Sequence, residues 1–68
     1  MERFNRFTNY VDKSNARDIM AMCLNIHNAI ENFCDYDDTN RTIISEYLWM
    51  IHDELNSAAR DILKQTNV

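Results

Sequence analysis

Sixty-eight residues carrying a formal charge of −4 make one domain at most, with a core worth only about 3–5 kcal/mol, so help from disulfides, a metal, self-association or very regular helix packing is expected. An apolar fraction of 46 % argues against disorder, and no run approaches the roughly 18 apolar residues of a membrane span. The acidic balance excludes direct nucleic-acid binding as a first reading, because that task demands neutralisation of phosphates.

Glycine and proline are both absent. These residues punctuate tight turns and stop helices, so a chain without them has few sharp corners and is read as helix over most of its length. The N-terminus, MERFNRFTNY, lacks the uninterrupted apolar core of a signal peptide, which makes a cytoplasmic address the expectation.

A first helix is expected over about residues 2–12, with Phe4, Phe7 and Val11 spaced three and four apart. Alone it is too short to be stable in water and must dock. Ser14 and Asn15 then read as an N-cap, with Asp18 in the first turn behind them. No strong breaker separates this segment from the next, so one continuous rod is the alternative.

The second helix runs over about 15–34. Ile19, Met22, Ile26, Ala29 and Phe33 form a seam, Cys23 and Ile30 widen it, and Met20, Leu24, His27 and Cys34 continue around the same side. At about 100° per residue the apolar arc exceeds half the circumference, more than a single neighbouring helix covers. Cys23 and Cys34 are eleven residues apart on this helix, roughly 16 Å, whereas a disulfide needs Cα atoms within about 7 Å. An internal bridge is excluded, and two packed thiols are the simpler reading.

The connection Asp35-Tyr36-Asp37-Asp38-Thr39-Asn40 follows. Asp37, Asp38 or Thr39 is expected to cap the third helix, and Asn40 is the best candidate for a left-handed backbone. That helix spans about 40–66, with a seam of Ile44, Leu48, Ile51, Leu55, Ala58 and Ile62. Seams of this period favour nearly antiparallel packing across a short loop. The fold class is therefore all-α: a hairpin of two long helices plus a short N-terminal helix, paired into a homodimeric bundle. Its core and dimer contacts are drawn from Ile19, Met22, Cys23, Ile26, Ile30, Phe33, Ile44, Leu48, Ile51, Leu55 and Ile62.

Candidate chemistry is sparse. Counting Asp35 as position one, Asp37, Thr39 and Glu46 take positions three, five and twelve of a calcium loop, and in those places the segment resembles an EF-hand. It departs from that pattern at Asn40, where glycine is usual, and at Thr42, where an aliphatic residue is usual; helix capping is the simpler role for these carboxylates. Cys23, His27 and Glu31 stand four apart on one face, but a structural zinc site wants four converging ligands. Cys23 with His27 lacks an orienting third group for nucleophilic catalysis, and His52 and Asp53 are adjacent, so their side chains are expected to diverge. No catalytic residue, metal or cofactor is assigned.

Trp49 lies on the polar side of the third helix, roughly 140° from the seam centre. There it is either covered by the first helix or a second subunit, or left for a partner. Seven acids (Glu31, Asp35, Asp37, Asp38, Glu46, Asp53, Glu54) face one base, Arg41, within residues 31–54. A surface of Trp49, His52, Asp53, Asn56 and Glu46, with Asp35, Asp37 and Asp38, is thus the candidate site for a protein partner of basic or nucleic-acid-binding character. The functional expectation is a small acidic, non-enzymatic regulator that self-associates and modulates or inhibits that partner, in the manner of antirepressors, adaptors or phage-encoded inhibitors. Two alternatives stand beside it: a nucleic-acid mimic occupying a basic groove, and a calcium-responsive helix-loop-helix over residues 35–46.

Overall fold

The computed structural model describes residues 5–65. They form two α-helices, α1 (Ala16–Phe33) and α2 (Thr39–Gln65), joined by a five-residue turn, with no strand among the described residues. Ala16 clusters with Ala58 and Ala59 while His27 meets Trp49, so the two helices run antiparallel. The molecule is an elongated slab of 47 × 27 × 16 Å.

Local chemistry explains the helix limits. Asp38 precedes α2 and its Oδ1 accepts the Arg41 N–H at 3.2 Å, the side-chain cap expected of an aspartate there. The turn closes through Asp35, whose Oδ1 accepts the Asp37 N–H and whose carbonyl accepts the Asp38 N–H and the Thr42 hydroxyl. These bonds form with every backbone φ negative among the described residues. The left-handed Asn40 expected from sequence is therefore not needed; Asn40 is the second residue of α2.

At the other end, Asn15 stands at the N-cap of α1 but makes no side-chain cap to that helix. The working cap lies one turn earlier. The Asp12 carboxylate accepts the N–H of Ser14 and of Asn15 and the Ser14 hydroxyl, while Asn15 Oδ1 accepts the Asp12 N–H in return. Asn15 thus holds the N-cap position expected from sequence, while the side-chain capping comes from this reciprocal box with Asp12. The same bonds hold the Asp12 carboxyl below the ordinary aspartate range.

The expected helix over 2–12 is not formed in its described part. Residues 6–10 are turns, with Thr8 N–H donating to Asn5 O and Tyr10 N–H to Phe7 O; Phe4 lies outside the described residues. Tertiary contact replaces helical bonding here. Asn5 Nδ2 donates to the Glu54 carbonyl at 2.8 Å, Arg6 pairs with Glu54 at 3.0 Å, and Phe7 and Val11 pack into the cluster of Ala16, Ala58 and Ala59.

The seam between α1 and α2 differs from both expected seams by one residue, which is about 100° of rotation. Its most buried positions are Ala16, Cys23 and Ile30 on α1 and Ser45 and Ala59 on α2, each at most 2 % exposed, with half-buried His52 midway between the last two. Both rows step by seven residues, as antiparallel helices packed along one stripe require. Small side chains let the helices approach closely. Met22, Ile44 and Leu48, expected in the core or the dimer contact, are exposed in the hairpin; Ile19, Ile26, Phe33, Ile51, Leu55 and Ile62 are half-buried at its edge.

Ser45 is buried with its hydroxyl unpartnered. Removing a buried group that makes no hydrogen bond recovers its desolvation, and alanine is also the better helix former. Ser45→Ala is expected to raise the unfolding free energy by about 1 kcal/mol in urea titration; a loss of stability would mean that the hydroxyl is bonded.

Candidate functional site

The two sides of the hairpin differ in chemistry, and the rotated seam is the cause. Residues four beyond the seam positions turn to one side (Met20, His27, Trp49, Asn56), and those three beyond turn to the other (Ile26, Phe33, Leu48, Leu55). Antiparallel packing puts matching rows of α1 and α2 on the same side. The His27–Trp49 contact marks the first side and Arg41, 4.7 Å above the Phe33 ring, marks the second.

On the first side three rings meet edge to face. Trp49 lies 4.6 Å from His27 and 5.3 Å from His52, and the two imidazoles are 5.9 Å apart. Each imidazole has a carboxylate neighbour. His27 Nε2 is 3.2 Å from Glu31 and His52 Nδ1 is 3.0 Å from Asp53. The last contact corrects the expectation that His52 and Asp53 diverge: the short aspartate side chain folds back along the helix surface. Trp49 is covered in part by the other long helix, through His27.

This aromatic ridge splits the expected partner surface in two. His52 and Asn56 line an open groove of about 580 Å³ with Cys23, Leu24, His27 and Arg60. Glu46, Trp49 and Asp53 line a second, of about 500 Å³, with Asn5, Met50 and Glu54. Asp35 and Asp38 are engaged in the turn and the cap and are not part of either groove, and Asp37, whose N–H bonds Asp35, stands exposed beside them. The expected surface is thus three separate pieces.

The calcium-loop set is not brought together. Thr39 and Glu46 ride on α2, the carboxylates of Asp35 and Asp38 are turned to backbone N–H groups, and among the described residues no three His, Cys, Asp or Glu side chains converge to hold a metal ion. Cys23 and Cys34 are free thiols. Burial pushes the Cys23 thiol up, the opposite of what activates a nucleophile. Cys34 sits half-exposed at the end of α1. Iodoacetamide at neutral pH is expected to label Cys34 at least tenfold faster than Cys23; equal rates would mean that α1 opens readily.

The second side is apolar. Met22, Ile44, Tyr47 and Leu48 are exposed, and Ile26, Phe33 and Ile51 are half-buried among the same rows. Sequence reasoning drew most of these residues into the seams, as core or dimer contacts together. The seven-residue spacing of Ala16, Cys23 and Ile30, and of Ser45, His52 and Ala59, was the available signal for the true seam. No helix among the described residues is long and apolar enough to cross a membrane. Family models, characterised proteins and solved structures offer no match to this chain, so its function must be argued from these two sides alone.

Proposed function

We propose that the chain is a small non-enzymatic regulatory protein that self-associates and binds a protein partner to modulate or inhibit it. The observation that carries this reading is the division of the surface into an apolar side and a side bearing carboxylates beside an aromatic ridge. Two unlike surfaces on one slab suit a protein that meets two kinds of neighbour. The partner-facing surface is the groove walled by Glu46, Trp49 and Asp53. Its acids and the net charge of −4 favour a basic partner, a nucleic-acid-binding protein among them.

Glu46 and Asp53 are both exposed, so Glu46→Lys/Asp53→Lys reverses the groove's charge while removing one contact to the helix seam, that of Asp53 with His52. Against a basic partner isolated by crosslinking, the double variant is expected to bind at least tenfold more weakly, and wild-type binding to fall as salt rises. Binding indifferent to both the substitutions and salt would reject this surface.

A further inference from the structure

We infer that the open part of the apolar side is the docking site for a second copy of this chain, two hairpins closing face to face into a four-helix bundle; this rests on the self-associating reading above and names its surface and symmetry. The first argument is area. The chain exposes 5560 Å², whereas a compact monomer of 8.1 kDa exposes about 4,500 Å². The excess, about 1,000 Å², is of the order that one partner contributes to a standard interface, about 800 Å². The radius of gyration agrees: 13.8 Å against about 11 Å for a compact domain of this length.

The second argument is where that surface lies. Met22 is 54 % exposed, Ile44 47 %, Tyr47 54 % and Leu48 37 %, and the rotation of the seam gathers them on one side with Ile26 and Phe33. Their exposed parts together reach roughly 400 Å², comparable to the largest apolar patch on a monomer, which is often functional. Further along the same side Phe7 and Val11 already pack with Leu55, Ala58 and Ile62. The open area is therefore the half nearest the interhelical turn.

The third argument, charge, selects the occupant. A copy carrying −4 is repelled wherever acids meet acids. Along α2 the arc of Asn40, Ile44, Tyr47, Leu48 and Ile51 holds no acid, its charged neighbours being Arg41 over the Phe33 ring and Arg6 beside Tyr47, and on α1 only Asp18 stands at its margin. A basic partner finds Arg41 there and no acid on α2 to pair with, while a second acidic copy sets no α2 acid against an acid and leaves its α2 acids on the outside. Twofold pairing makes the contact isologous, with each α2 crossing its counterpart near Leu48.

Sedimentation equilibrium of the full chain from about 1 to about 300 µM tests this, with helicity followed by circular dichroism. Wild type is expected to pass from monomer to dimer over that range. Ile44→Lys and Leu48→Lys, at positions already exposed in the single hairpin, are each expected to keep native helicity and raise the dissociation constant at least tenfold. A dimer untouched by both substitutions would overturn the inference and leave self-association standing through another surface. A chain that stays monomeric throughout would overturn both, while salt-dependent partner binding could still hold. Assemblies larger than two would rule out the twofold closure.

Discussion

Ala59→Leu is expected to lower the unfolding free energy by about 1–3 kcal/mol or more, a large share of the whole. Ala59 is fully buried, and it packs where Ala16, Ala58 and Val11 converge at the base of the hairpin. Three extra carbon atoms have no space there, and overpacking of a tight site costs about 1–3 kcal/mol, occasionally more. A core of this size supplies only about 3–5 kcal/mol in total, so the loss takes most of it. Leu48→Ala is the informative contrast. The sequence pattern places Leu48 in the central seam, where truncation would cost about 2–5 kcal/mol; in the hairpin Leu48 is exposed, and less than about 1 kcal/mol is expected in the monomer. Urea denaturation at concentrations below self-association compares the two. Should Leu48→Ala prove the more damaging, the helices meet through their large apolar rows and the small-residue seam is wrong.

Trp49→Ala is expected to remove about 2 kcal/mol, a fraction of the full cost of deleting a buried tryptophan because this one is half-buried. The loss belongs to the joint between the helices, since Trp49 of α2 sits edge to face with His27 of α1. A double-mutant cycle with His27→Ala isolates that contact, and a coupling of about 0.5–1.5 kcal/mol is expected for such a ring pair. Zero coupling, with partner binding abolished in a fully stable Trp49→Ala chain, would restore Trp49 to the role of free anchor. The same reasoning makes Trp49→Ala a poor probe of partner binding, because it loosens the scaffold as well. The exposed acids Glu46 and Asp53 are the cleaner handles.

Much of the site was visible residue by residue and mislaid in space. Trp49, His52, Asp53 and Asn56 were singled out together, yet the His27–Trp49–His52 ridge divides them between two grooves. His27 was noted only for its cysteine and glutamate neighbours, because a contact between residues on different helices leaves no trace in local spacing. Asp12 was not singled out as a cap. Its spacing to Asn15 is that of a capping box, and this could have been read from the sequence. The N-terminal segment misled for a different reason. Phe7 and Val11 keep helical spacing, but Asn5 and Arg6 find stronger partners on Glu54 than a short isolated helix would offer them.

The amino-acid sequence by itself determined that the chain is helical, that two long helices flank a connection near residues 35–40, and that a residue of that connection caps the second of them. These outcomes rest on interactions between near neighbours: apolar periodicity, the want of glycine and proline, and side chains that reach backbone N–H groups two or three residues away. Only the tertiary structure decided which stripe of each helix faces the other. Each helix carries two rows of suitable period, one large and apolar and one small, and either row satisfies the spacing rule. Close approach between Ala16, Cys23, Ser45 and Ala59, with Phe7 and Val11 sealing the base, favours the small row. That choice turns the large rows of both helices outward onto a single side, because the helices are antiparallel.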